Sequence, residues 1–302
     1  MIVFCLPQHR ALLSDELRDT AGLMIGRCRF QRFPDGELYL KLEDTVAGMD
    51  CGLLGSLAPP DAQTLSTLLL ADTLKRAGAR RILAVLPYLG YARQDRPSST
   101  CSLGAAWVAS QLASAGVDEV VTIDIHSEAA RMCFPMPVTS LSPAGLLASE
   151  LARESPESLT VVAPDEGARE RAAAVAGWLG IPAPVAYLRK HRTSEGVVHR
   201  ELVGSVGPHA ALIDDILDTG STLLSACAEL RRAGVRDLTV MATHGTLSGE
   251  RWRDLMRNGV RRIVLTDTIP GVGDRSGGMV EVLPIAPLLS EVLQPAFRGV
   301  TV

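Results

Sequence analysis

At 302 residues the chain has room for two ordinary domains of about 150 residues, each able to bury its own core. Its 47% hydrophobic and 21% charged residues exclude a disordered or coiled-coil chain. With 30 Lys and Arg against 34 Asp and Glu, its weakly acidic balance draws neither nucleic acid nor an anionic membrane, so an anionic ligand must meet a local basic cluster. The six cysteines, Cys5, Cys28, Cys51, Cys101, Cys133 and Cys227, are scattered without C-x-x-C or metal-ligand spacing. They read as reduced thiols of a cytoplasmic protein. The opening MIVFCLP turns polar at Gln8-His9-Arg10, unlike a secretory leader, and no run of about 18 apolar residues is present to span a bilayer.

In chain order, short apolar runs rich in β-branched residues alternate with helical patterns. Strands are expected at 2–4, 82–86, 120–123, 159–162, 185–188, 211–213, 238–241 and 263–265, with a helix near 12–17 before the second of these. That alternation predicts an α/β fold of parallel sheets with helices on both faces.

One stretch recurs. Leu74-Lys75-Arg76-Ala77-Gly78-Ala79-Arg80-Arg81-Ile82 matches Leu230-Arg231-Arg232-Ala233-Gly234-Val235-Arg236-Asp237-Leu238 at a shift of 156, each a helix stopped by Gly and followed by a buried strand. Further on, Val121-Thr122-Ile123-Asp124 resembles Val264-Leu265-Thr266-Asp267 at a shift of 143, so the first half carries thirteen extra residues between the markers. Two markers in one order favour duplication of an α/β domain, with a boundary near residue 145. The extra residues fall at Pro87-Tyr88-Leu89-Gly90-Tyr91-Ala92-Arg93-Gln94-Asp95-Arg96, polar and basic and directly after a buried strand, where open α/β sheets bind ligands.

The most informative segment is Asp214-Asp215-Ile216-Leu217-Asp218-Thr219-Gly220-Ser221-Thr222, between an apolar strand and a helical run. Gly220 permits a tight turn, and the N–H groups of a helix start, with the hydroxyls of Thr219, Ser221 and Thr222, can surround a phosphate. Asp214 and Asp215 suit the 2- and 3-hydroxyls of a ribose. A lone D-T-G would more simply be an N-cap in a solvated turn. The full segment instead describes a ribose 5-phosphate site, and it resembles the phosphoribosyl pyrophosphate (PRPP) motif shared by type I phosphoribosyltransferases and ribose-phosphate pyrophosphokinases.

Four further segments resemble the pyrophosphokinase family in chain order. In Phe33-Pro34-Asp35-Gly36-Glu37 the resemblance puts the ring of Phe33 on adenine and the carboxylates of Asp35 and Glu37 on its exocyclic amine; alone, P-D-G is a turn sequence. It assigns Arg93, Gln94, Asp95 and Arg96 to ATP, where residue type alone gives a solvated basic loop. In Asp124-Ile125-His126-Ser127 it places His126 beside the Mg²⁺ that bridges the ATP phosphates. In Pro164-Asp165-Glu166-Gly167 it gives Asp165 a second Mg²⁺. Lys190-His191-Arg192, before a polar stretch with Gly196, reads alone as a surface hairpin; the resemblance makes it a flexible catalytic loop in which Lys190 and Arg192 act.

The resemblance implies two similar phosphoribosyltransferase-like domains, 1–145 and 146–302. It also implies transfer of the pyrophosphate of ATP to ribose 5-phosphate, and a homo-oligomer in which the adenine-binding segment of one subunit completes a neighbour's site. After Arg96 the chain departs from the family, reading Pro97-Ser98-Ser99-Thr100-Cys101-Ser102-Leu103-Gly104 in place of a further basic residue and an R-E-P-I-S-like sequence. Gly220-Ser221 likewise replaces the commoner Ala-Gly or Gly-Gly. Two competing readings are a PRPP-consuming phosphoribosyltransferase, which leaves the first-half motifs unexplained, and a non-catalytic regulatory paralogue, which the altered loop permits.

Overall fold

The unbroken apolar runs become parallel strands. A strand linked to its neighbours by crossover helices is buried on both faces, so its sequence loses the alternation of a half-exposed strand. The computed structural model describes residues 1–13, 23–153, 159–182, 185–192 and 198–298. The expected helix near 12–17 falls largely outside these; the described part is a 3₁₀ turn, Pro7–Leu12, after strand β1 (Ile2–Cys5). Contacts divide the chain into two units, Met1–Leu141 with Pro284–Val302, and Ser142–Leu283. The C-terminal segment therefore groups with the first unit and not with the second half.

The first unit continues with β2 (Met24–Ile25), an antiparallel hairpin of β3 (Cys28–Arg32) and β4 (Leu38–Leu42), β5 (Asp50–Leu54), helix α1 (Ala62–Arg76), β6 (Arg81–Val85), α2 (Gly104–Ser114), β7 (Glu119–Ile123), α3 (Glu128–Met132) and β8 (Val138–Leu141). Its parallel sheet has the order β2-β1-β5-β6-β7-β8, and the hairpin stands as a sheet of its own. Leu53, Ile82, Ala84 and Val120 pack with Leu70 and Leu74 of α1 and Val108 and Leu112 of α2. Strand β5 is missing from the sequence expectation because Asp50-Cys51-Gly52 carries no β-branched residue. In the sheet it lies between β1 and β6, with Gly52 against the Val3 side chain.

The second unit runs α4 (Ala144–Ala152), β9 (Leu159–Ala163), α5 (Arg169–Trp178), β10 (Ala186–Arg192), β11 (Val198–Val203), β12 (His209–Leu217), α6 (Ser221–Arg232), β13 (Asp237–Gly245), α7 (Asp254–Arg257), β14 (Val260–Thr266), α8 (Val272–Ser276) and β15 (Glu281–Leu283). The order is β11-β10-β9-β12-β13-β14-β15, parallel except for the β10–β11 pair. Successive strand residues feed opposite faces. Ala210 and Leu212 join the cluster under α6 with Leu223, Ala226 and Leu230, while Ala211 and Ile213 join the one under α4 and α5 with Leu147, Ala172 and Val175. The final helix, α9 (Ala286–Arg298), belongs to the first unit.

The units repeat one plan, since β1-β5-β6-β7-β8 and β9-β12-β13-β14-β15 run in the same order. The markers read from the sequence coincide in detail. Gly78 and Gly234 end α1 and α6 with φ of +88° and +96°, donating to the carbonyls of Lys75 and Arg231 at 3.0 and 3.1 Å. A left-handed residue closing a helix in this way is nearly always glycine. Asp124 and Asp267 donate their N–H groups to Leu141 and Leu283 at 2.9 and 3.1 Å, each binding the end of one strand to the next. No helix among the described residues is long and apolar enough to cross a membrane.

Candidate active site

In both units several of the motif residues lie near or beyond the ends of parallel strands, while Phe33 to Glu37 and Lys190 to Arg192 stand on antiparallel pairs. In the second unit β12 delivers Asp214 and Asp215 before the chain turns at Gly220 into α6. Gly220 has φ +80°, and a Cβ there would stand 2.8 Å from the backbone Cα of Trp252, so the turn needs glycine both for its conformation and for its closeness to the chain behind it. No side chain caps α6, and the N–H groups of a helix's first turn have no partner within the helix, so this turn is suited to an anion. The hydroxyls of Thr219 and Ser221 lie 3.1 Å apart at its rim, and Asp218 accepts from Thr246 at 3.0 Å.

The two aspartates at the end of β12 differ from a solvated turn. Asp215 is buried and donates its N–H to Asp214 Oδ1 at 3.0 Å. Burial and then the neighbouring Asp215 carboxylate push Asp214 well above the usual 3.8; Arg171 opposes the shift and Asp165 adds to it. Asp165 thus lies within electrostatic reach of the pair. It sits past the end of β9, the strand next to β12, and its Oδ1 accepts from the N–H groups of Gly167 and Ala168 at 3.1 and 3.3 Å. The neighbouring Glu166 faces Arg189 of β10 at 3.5 Å, tying that strand to the Asp165 turn.

Lys190, His191 and Arg192 depart from expectation. They continue strand β10, in antiparallel register with Arg200, His199 and Val198 of β11, so the expected loop is here the rising arm of a two-stranded ribbon. Pairing with β11, absent from the sequence expectation, carries the strand beyond its parallel neighbour β9. Gly196 lies outside the described residues.

In the first unit Phe33-Pro34-Asp35-Gly36-Glu37 is the turn of the β3–β4 hairpin. Gly36 N–H donates to Phe33 O and Phe33 N–H to Glu37 O, each at 2.9 Å. The Phe33 ring is 50% exposed, edge-on to Tyr39 at 5.6 Å, and Asp35 Oδ1 accepts from the N–H of Glu37. Thus the turn reading holds, and the turn presents an aromatic face and two carboxylates.

Arg93 to Arg96 follow β6. Tyr91, with a left-handed φ of +65°, bends the chain before them and anchors its hydroxyl on Asp61 at 2.5 Å. Gln94 is held by Ser102, whose hydroxyl donates to Oε1 at 2.5 Å, and its carbonyl accepts from Ala105 N–H at 3.1 Å; Arg93 and Arg96 are exposed. Asp95 accepts a hydrogen bond from Ser127, in the segment after the adjacent strand β7. The structure therefore brings the Arg93 to Arg96 and Asp124 to Ser127 segments together. His126 is exposed at the second of them. Sequence reasoning missed Ser102, Ser127 as a partner of Asp95, Thr246 and Trp252; only the parallel neighbourhood of β6 and β7 hints at the second of these.

Comparisons with known proteins bear on what this arrangement does. Residues 1–116 match a family model described as the N-terminal domain of ribose phosphate pyrophosphokinase, and residues 186–300 one described as the phosphoribosyl synthetase-associated domain. A ribose-phosphate pyrophosphokinase of Ralstonia nicotianae is 34% identical over 284 residues, covering 92% of this chain and 89% of its own, and one of Bacillus subtilis is 32% identical, covering 93% and 89%. The chain belongs to the ribose-phosphate pyrophosphokinase family. The crystal structure of phosphoribosylpyrophosphate synthetase from Mycobacterium smegmatis superposes with a TM-score of 0.88 at 31% identity, covering 99% of both chains. The α/β architecture of two mainly parallel, helix-flanked sheets is thus that of a ribose-phosphate pyrophosphokinase from end to end.

Proposed function

We propose that the protein transfers the β,γ-pyrophosphoryl group of ATP to the anomeric hydroxyl of ribose 5-phosphate, giving PRPP and AMP. The observation that carries this reading is family membership over nearly the whole chain. A phosphoribosyltransferase would account for the phosphate loop but not for the family match of residues 1–116.

In this reading the first turn of α6, with Thr219, Gly220, Ser221 and Thr222, holds the 5-phosphate, while Asp214 and Asp215 accept the ribose hydroxyls and Asp218 braces the loop through Thr246. Phe33, Asp35 and Glu37 receive the adenine, and Arg93, Gln94, Asp95 and Arg96 serve the polyphosphate end of ATP. The attacking hydroxyl approaches the β-phosphorus in line as AMP leaves. Such transfers are catalysed mostly by positioning and by cations facing the developing charge, the role given to Lys190 and Arg192.

Among the described residues no cluster of three or more His, Cys, Asp or Glu could hold a metal by itself. Mg²⁺ keeps several waters and takes one or two protein groups plus substrate phosphates. His126 and Asp165 would each hold one ion, and bound Mg²⁺ would supply charge neutralisation on the phosphate oxygens. The Asp165 side chain is held by two backbone N–H groups through Oδ1. By the same resemblance the protein is a cytoplasmic homo-oligomer whose 33–37 turn completes a neighbour's site.

The test is AMP release by purified protein with ATP and Mg²⁺, with and without ribose 5-phosphate, the sugar product being identified by mass. AMP and PRPP formed only with the sugar support the assignment. ADP in place of AMP would mean a different kinase, and ligand binding without turnover would favour the regulatory paralogue.

A further inference from the structure

We infer that Asp95 is a positioning residue: through Ser127 it latches the Arg93 to Arg96 segment to the segment bearing His126, fixing that histidine for its metal. The inference rests on the proposed function and replaces a direct ATP contact of Asp95 with a structural one.

The geometry singles out this pair. Asp95 accepts from the Ser127 hydroxyl across 32 residues of sequence, and the same oxygen accepts the N–H of Ala130 at 3.0 Å as the N-cap of α3. Ser127 therefore donates to one partner and accepts from the other, which sets its hydroxyl proton toward Asp95. On the other side of His126, Ile125 N–H donates to Ser140 Oγ at 3.0 Å, and Asp124, left-handed at φ +48°, donates to Leu141 O at 2.9 Å. His126 is thus an exposed residue between two pinned neighbours, one tied to β8 and the other to Asp95. The Asp95 side is equally constrained, because Gln94 is held at its N–H, its carbonyl and its side chain. A hydrogen bond with a carboxylate acceptor is among the stronger ones, and outer partners of metal-binding residues commonly change metal affinity by about 10- to 100-fold when removed.

The experiment measures Mn²⁺ binding by electron paramagnetic resonance in the presence of a non-hydrolysable ATP analogue, alongside the Mg²⁺ dependence of turnover, for Asp95→Ala, Ser127→Ala, the double variant, Ser127→Thr and His126→Ala. Asp95→Ala removes the latch but leaves the cap of α3, so misfolding from a lost cap is separated from loss of positioning; thermal unfolding checks that each variant is folded. We expect roughly tenfold weaker metal binding in each single alanine variant at positions 95 and 127, a double variant no worse than Ser127→Ala, recovery in Ser127→Thr, and an unchanged KM for ribose 5-phosphate. Additive losses, or equal losses for metal and ribose 5-phosphate, would overturn the latch. Weakened metal binding in His126→Ala with none in Asp95→Ala would overturn the latch alone, whereas no effect of His126→Ala would remove the metal reading beneath it as well.

Discussion

Asp214 shows at a single residue what a buried pair of carboxylates costs the fold. Its carboxyl is raised by burial and by Asp215, so the folded state keeps a proton that the unfolded chain has already lost. Its contribution to stability is present below the ordinary value of 3.8 and is lost as pH rises through the raised folded value, which makes it a net cost at neutral pH. Asp214→Asn is expected to stabilise the protein by about 1 kcal/mol, or roughly 2–4 °C in thermal unfolding, while ribose 5-phosphate binding weakens; a variant that loses both would contradict this account. His9 is the opposite case. It is fully buried, neither ring nitrogen has a partner among the described residues, and burial lowers its pKa to about 4. Here the unfolded chain, titrating near 6.5, binds the proton first. Stability is full above pH 6.5 and falls by up to about 3 kcal/mol as pH drops toward 4, and His9→Leu should flatten denaturant midpoints measured across that window.

Among the elements, the β3–β4 hairpin forms its own two-stranded sheet, lays Phe30, Leu40 and Leu42 against the core of the first unit, and carries Phe33 half-exposed at its turn. Phe33→Ala should leave thermal stability within about 0.5 kcal/mol while raising the KM for ATP roughly tenfold, a split that steady-state kinetics and calorimetry together would reveal. What could be read beforehand follows from how local each signal is. The parallel strands were legible because burial on both faces leaves unbroken apolar runs such as 120–123, and the proposed phosphate loop stood out because glycine, hydroxyls and carboxylates all lie within nine residues, 214–222. Strand β5 was hidden by its small residues, and the pairing of Lys190 to Arg192 with β11 depends on a partner strand that polar residues do not announce. Asp95 and Ser127 meet only because β6 and β7 are neighbours in the sheet.

At the scale of the molecule the duplicated plan is closed by a helix that returns to the first unit. Ile285, Leu289 and Leu293 of this last segment are buried. Leu289→Ala should cost about 2–5 kcal/mol, and hydrogen exchange should locate the loss in the sheet of residues 1–141 more than in that of 142–283. Matching connections of the repeated plan also differ in length. Between β6 and α2 the chain spends residues 86–103 without a helix or strand, and the Arg93 to Arg96 segment lies inside this stretch; the turn after β13 is far shorter. Residues 97–102 are exposed, and of these Ser102 holds the Gln94 side chain. On the proposed reading, a lineage can rewrite its phosphate donor handling as an exchangeable cassette in this long connection while inheriting the sugar-phosphate cradle of the second unit intact.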